Sequence, residues 1–291
     1  MRRTFLCTSF ASLTLLTNAQ NNALDFDGQN DVASGFGASA YIAASPALSM
    51  SCWVYPRSAA PAYPDFDGLM GFRNEVDCDF YMVQIAPTNT IEGRFRNSAG
   101  TAFTVTAPAL SIGQWQHMAL VYDGSFLTLY HNGTVLANTP ASGVIANSSV
   151  PLLIGDVLFA ATHFYLDGKI DEATVWTRAL SGAEINCMMT AGFDPQDPDL
   201  QFYYRCDQGT AAGNNTSIVL LEDEQGNLDA ALTGLSLISS TSNFVTGCPV
   251  PGSNVTSATI CQGEAYLFNG NYYTAQGTYT STFTTGSSCD S

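Results

Sequence analysis

The sequence predicts an all-β protein, an antiparallel β-sandwich or jelly roll with one short helix. Three observations carry this prediction. Of the 291 residues, 46% are apolar and 12% charged, and Lys169 is the single lysine, so helix-favouring side chains are scarce. Short segments of period-two alternation recur through residues 23–176. Turn signals separate them, Asp123-Gly124 and Asn132-Gly133 most clearly, because Asn, Asp and Gly tolerate the positive φ of tight hairpins.

The elements follow in chain order. Met1-Arg2-Arg3, an apolar stretch and Ala19 read as a secretory signal over residues 1–19, cleaved near Ala19-Gln20. In the first strand Leu24 and Phe26 point one way while Asp25 and Asp27 point the other. Leu48, Met50, Cys52 and Val54 share one face of the next clear strand. Phe80–Ile85 and Trp115–Tyr122 are apolar on both faces and are expected to be covered on both sides. Phe126–Tyr130, Val150–Ile154, Phe164–Leu166 and Ile170–Trp176 complete the set. Ser181-Gly182-Ala183-Glu184 is a capping box, so the one helix starts there and stops near Gly192.

Residues 193–199 form a Pro-broken acidic link, and residues 191–247 read as a β extension packing on the sandwich. Residues 248–258 read as a linker, and residues 259–291 as a small β repeat bracketed by Cys261 and Cys289.

Charge excludes whole classes of partner. With 9 Lys and Arg against 25 Asp and Glu the net charge is −16. No basic footprint for nucleic acid exists, nor one for simple adhesion to anionic lipid. Beyond the N-terminus no apolar run is long enough to span a bilayer.

Eight cysteines in an exported chain are expected to be mostly paired. Cys7 leaves with the signal. Cys261 is expected to pair with Cys289, closing a segment too small to hold together alone. Cys187, on the helix, is expected to pair with Cys206 and pin the extension to the sandwich. Cys52 and Cys78 are a third pair or two buried thiols, and Cys248 is the odd cysteine.

Catalytic signatures are missing. Glu222-Asp223-Glu224 is consecutive and alternates faces, so it is not a glucanase-like carboxylate strand. No G-x-S-x-G or H-E-x-x-H occurs. His117 reads as a half-buried structural histidine and His131 as an exposed turn residue. Trp53, Trp115 and Trp176 read as core, while Tyr63, Tyr272 and Tyr273 are the candidates for an exposed sugar-stacking platform.

Seven pieces together resemble the LamG-like jelly-roll family of the concanavalin A-like lectin/glucanase superfamily. They are Ala23–Gly28 with Asn30-Asp31, Ser51–Val54, Trp115–Gly124, Leu129–Gly133, Leu153–Gly155, Asp167–Ala173 and Thr177–Ser181 with Glu184-Ile185. The resemblance covers residues 23–190 and implies two stacked antiparallel sheets. Thr259–Tyr266, Gly277–Tyr279 and Ser288–Ser291 resemble a Cys-bounded repeat of large secreted bacterial surface proteins. Gln84-Ile85-Ala86 falls where a related polysaccharide lyase carries Gln-Ile-His, and here the His is missing.

In a fold of this kind the first and last strands are usual neighbours, so the resemblance implies that Asp27, Asp31 and Asp171 share a Ca²⁺ ion. The loops at Asp77 and Asp156 are a second choice, resembling where pentraxins keep calcium. The expected function is a non-catalytic, secreted or cell-surface recognition or adhesion module for glycans or extracellular protein. The alternatives are a structural spacer of a large adhesin and an accessory domain of a polysaccharide-degrading enzyme.

Overall fold

A computed structural model describes residues 21–59, 66–85, 90–190 and 192–248, together with the backbone of two short strands beyond them. The first strands are β1 (Asn22–Asp27), β2 (Val32–Gly35), β3 (Leu48–Pro56), β4 (Asp67–Phe72), β5 (Asp79–Ile85), β6 (Thr90–Arg96) and β7 (Ala102–Pro108), with the short helix α1 (Ser39–Ile42) between β2 and β3. Next come β8 (Gln116–Tyr122), β9 (Phe126–His131), β10 (Thr134–Pro140), β11 (Leu152–Ile154), β12 (Leu158–Phe159), β13 (Thr162–His163) and β14 (Asp167–Trp176). Helix α2 (Gly182–Thr190) precedes β15 (Leu200–Tyr204), β16 (Leu220–Leu221), β17 (Ala230–Thr233), β18 (Asn243–Thr246), β19 (Tyr266–Phe268) and β20 (Asn271–Tyr273).

Two eight-stranded antiparallel sheets make the sandwich, as the sequence predicts. The first runs β10-β9-β8-β3-β14-β1-β18, with β15 also on β14. The second runs β16-β17-β2-β11-β4-β5-β6-β7. Residues 200–246 therefore supply strands to both sheets rather than forming a separate layer.

Alternation decides which side chains meet between the sheets. Leu48, Met50, Cys52 and Val54 are all buried there, with Leu24 and Phe26 beside them. From the second sheet come Phe80, Met82, Ile91 and Phe95. Phe95 stacks on Tyr122 with ring centroids 4.1 Å apart, which ties the two sheets together. Gly93 lies on the same inner side, where a Cβ would be 2.5 Å from a Leu120 methyl.

The capping box forms as predicted. Ser181 Oγ accepts the Glu184 amide at 3.2 Å, and Glu184 Oε2 accepts the Ser181 amide at 2.7 Å. Helix α2 lays Ile185 on Ala119, Val121, Trp176 and Leu180, covering part of the outer face of the first sheet. The Asn132-Gly133 turn has both residues at positive φ, 47° and 72°, as a two-residue hairpin requires.

Three expectations differ from the structure. Phe164–Leu166 is not a strand: Phe164 bonds Val157 and Gly68 through its backbone and closes a small hairpin over the second sheet. Helix α1 adds a four-residue helix that the sequence pattern does not announce. Trp176 is core, but Trp53 and Trp115 are only partly buried on the outer face of the first sheet. The signal at 1–19, the linker and the Cys261–Cys289 pair lie outside the described residues.

Candidate functional site

The outward face of the second sheet carries the densest set of charged and aromatic groups. Register places Leu153, Gly71, Tyr81, Arg94 and Thr104 in one row across β11, β4, β5, β6 and β7. Alternation puts Tyr81 and Val83 outward and Phe80 and Met82 inward. In β6 it puts Glu92, Arg94 and Arg96 outward, against Ile91, Gly93 and Phe95 inward.

The hairpin of β12 and β13 folds over this face. Asp156 pins it, accepting the Phe164 amide at 2.8 Å and lying 2.5 Å from His163 Nδ1. Burial raises the Asp156 carboxyl, while the His163 hydrogen bond pulls it back. The hairpin brings the Phe159 ring beside Tyr81. The Arg73 guanidinium lies between these rings, 4.7 Å from the Tyr81 centroid and 4.5 Å from that of Phe159. Arg94 approaches Tyr81 at 5.8 Å.

Carboxylates here are already engaged. Glu92 accepts the Tyr81 hydroxyl at 2.9 Å and holds Arg94 at 3.1 Å. Asp79 holds Arg96 at 2.7 Å and accepts the Asn74 and Glu75 amides. Glu92 and Asp79 point outward from opposite ends of the face, four rungs or roughly 13 Å apart. A glycosidase carboxylate pair needs about 5–9.5 Å. Gln84 is buried on the inner side and accepts the Leu110 amide at 3.2 Å, so it does not present itself where the lyase comparison would need it. Ala86 lies outside the described residues.

The outer face of the first sheet has a second aromatic group. Trp53 meets His117 edge-on at 5.4 Å, Tyr55 meets Trp115 at 5.6 Å, and Lys169 Nζ lies 5.1 Å over Tyr55. His117 is buried rather than half-buried. Burial, helped by the nearby His131, pulls it down to about 3, and its Nδ1 has no hydrogen-bond partner. His131 is not an exposed turn residue: it ends β9, partly buried, 3.0 Å from Gln116 Oε1.

Asp27, Asp31 and Asp171 do not come together. Strands β1 and β14 are neighbours, but their register sets Asp27 opposite Asp167. Asp171 lies four residues further on, roughly 13 Å away by strand rise. There it is buried and accepts the Cys248 and Glu172 amides. Asp31 instead accepts the Asp27 amide and the Ser242 hydroxyl. The second choice fits no better: Asp77 faces the donors Asn74 and Ser148, and Asp156 faces His163. Ca²⁺ needs six to eight oxygens. Among the described residues no group of three or more His, Cys, Asp or Glu is placed to hold a metal ion.

The cysteine expectation also needs correction. Cys206 is a buried free thiol, so the bridge from Cys187 to Cys206 is not made; Cys187 is disulfide-bonded, but not to it. Cys206 enters the space between the sheets, where its thiol sits against the β1 backbone at Leu24 and points away from α2 on the outer face. Cys52, Cys78 and Cys248 are buried free thiols too.

Sequence reasoning missed Arg73, Tyr81, Glu92 and Arg94 as a group. The alternation of Glu92, Arg94 and Arg96 with Ile91, Gly93 and Phe95 was the available signal. Tyr63 lies outside the described residues, and the side chains of Tyr272 and Tyr273 do as well.

A family model described as the concanavalin A-like lectin/glucanases superfamily matches residues 26–186. Among solved structures, a candidate carbohydrate-binding protein of Bacteroides ovatus is similar with a TM-score of 0.54 at 21% identity. That match covers 74% of this chain and 59% of the other, less than two thirds of its length. A SAP-like pentraxin of Limulus polyphemus has a TM-score of 0.43 at 15% identity, covering 60% of this chain and 84% of the other. The CBM40 module of the Ruminococcus gnavus IT-sialidase has a TM-score of 0.45 at 17% identity, covering 57% and 96%. At these identities the likeness is one of fold. No curated protein matches the chain.

Proposed function

The chain belongs to the concanavalin A-like lectin/glucanase superfamily, and from that premise we propose that it is a secreted or surface-displayed glycan-binding module with no catalytic step of its own. The observation that supports this most is the outward face of the second sheet. Arg73, Tyr81 and Arg94 converge there under the Phe159 hairpin, Arg94 holding Glu92 while Arg73 rests on the two rings. A rigid face of apolar rings with a few placed polar donors suits a sugar, whose ring has both a hydrophobic face and hydroxyls.

Several features agree with this reading. Glu92 and Asp79 are too far apart to act as an acid and base on one glycosidic bond. The similar Bacteroides ovatus protein is described as a candidate carbohydrate binder, and that description supports the same ligand class here. Among the described residues no helix is long and apolar enough to cross a membrane, which is compatible with export.

The test is a glycan array probed with the full chain, run with calcium and with chelator. Binding to a defined set of glycans that survives the chelator is expected, since the Asp27, Asp31 and Asp171 set is not assembled. Absence of binding to plant, bacterial and animal glycans would overturn the reading in favour of a structural spacer. Turnover of any bound polysaccharide would overturn the non-catalytic part.

A further inference from the structure

Most cations among the described residues are neutralised by a carboxylate, and Arg73 departs from that pattern. Among the described residues Arg57, Arg94, Arg96, Arg178 and Arg205 each hold a carboxylate within 4 Å. Lys169 rests on the Tyr55 ring. Arg73 has no carboxylate at that distance among the described residues, and its Nε is buried with no hydrogen-bond partner. The chain has 25 Asp and Glu, so acids are not scarce. A guanidinium held between two rings without a counter-ion is a prepared anion receptor.

We propose that the outward face of the second sheet binds a sugar carboxylate, with Arg73 taking the carboxylate and Arg94 assisting. This rests on the glycan-binding reading and narrows it to acidic saccharides. Three physical points favour it. A planar guanidinium offers paired N–H donors that match a carboxylate, and the bond is charge-assisted. The Tyr81 and Phe159 rings fix the plane of the group before the ligand arrives, which lowers the ordering cost of binding. The Arg94 guanidinium, partly exposed and on the same Tyr81 ring, supplies further donors.

The charge balance sets the kind of anion. Glu92 is held by Arg94 and Glu75 accepts the Ala160 amide, so Arg73 is the cation of this site that holds no carboxylate within 4 Å among the described residues. That suits a single carboxylate. A densely sulfated chain would reach beyond the site into the field of a protein carrying −16 overall, within a Debye length of about 8 Å.

Calorimetric titration of the full chain tests this. The probes are tetragalacturonate, its methyl ester, 3′-sialyllactose, lactose and a heparin tetrasaccharide. The free acids are expected to bind at least about tenfold more tightly than the ester or lactose, and more tightly than heparin. The galacturonate and sialyllactose arms distinguish a uronate from a sialate source. Arg73→Gln is expected to lose about tenfold on the acid and nothing on a neutral glycan, and Arg73→Lys to recover only part, because an ammonium lacks the fork. If Arg73→Gln fails to fold, the comparison of acid with ester on the unaltered chain decides alone. Equal binding of acid and ester overturns the carboxylate inference and leaves the glycan reading standing. Tightest binding of heparin overturns it too. Binding of no saccharide overturns both.

Discussion

Gly71 stands directly opposite Tyr81 in the ladder between β4 and β5, and a Cβ on Gly71 would lie 2.3 Å from the Tyr81 Cβ and 2.4 Å from the Phe80 carbonyl oxygen. The missing side chain is what lets the β4 backbone lie this close to Tyr81, the residue whose ring carries Arg73. Gly71→Ala is therefore expected to destabilise the protein by about 2 kcal/mol or more, because backbone must move to admit it. Urea midpoints of the two proteins measure this, and equal midpoints would contradict it.

Asp67 is buried, its Oδ2 has no partner, and burial pushes its carboxyl up to about 7, with the Asp167 charge adding to the rise. A raised folded value means the folded state binds more protons than the unfolded one between about 4 and 7. Stability from this group is full at low pH and is lost as pH rises through 7. Asp67→Asn keeps an oxygen for the Asp167 amide and removes the charge. It is expected to gain on the order of 1–2 kcal/mol at pH 8 and little at pH 4. The same gain at both values would sink this assignment.

His117 titrates with the opposite sense. Its folded value of about 3 lies below the ordinary value, so the unfolded chain binds the extra proton. The stability it contributes is complete above about 6.5 and falls away as pH drops towards 3. His117→Leu is expected to lose less stability than the parent between pH 6.5 and 4. Paired denaturation curves across that window check it, and parallel slopes would refute it.

Peptide mapping under denaturing, non-reducing conditions is expected to recover Cys52, Cys78, Cys206 and Cys248 as free thiols. In the native protein these react slowly, since burial pushes the Cys52 thiol up to about 12 and the Cys206 thiol well above its ordinary value. A peptide linking Cys187 to Cys206 would contradict the structure.

Local pattern carried much of the fold. The alternation at Leu48, Met50, Cys52 and Val54, the two-sided Phe80–Ile85 strand and the Ser181–Glu184 capping box all appear where the residues place them. Register was not legible, because it is fixed between segments far apart in the chain. The Asp27, Asp31 and Asp171 set is not brought together for that reason. Strand β14 also carries a bulge between Asp171 and Thr174, with Glu172 at φ 51°, which nothing in Asp167–Ala173 announces. The Arg73 cradle needs the Phe159 hairpin folded back over β5, another distant pairing. Its nearer half, Glu92 and Arg94, was legible in the alternation of β6 with Ile91, Gly93 and Phe95.

Strand β1 is flanked by β14 on one side and β18 on the other, and β2 by β11 and β17. A truncation after α2 would strip one neighbour from each and bare a row of unpaired amides and carbonyls on both sheets at once. Such edges recruit strands from other molecules. The portable module, the piece that can be moved into another protein and stay soluble, therefore runs at least to Cys248 and not to the end of the family match at residue 186.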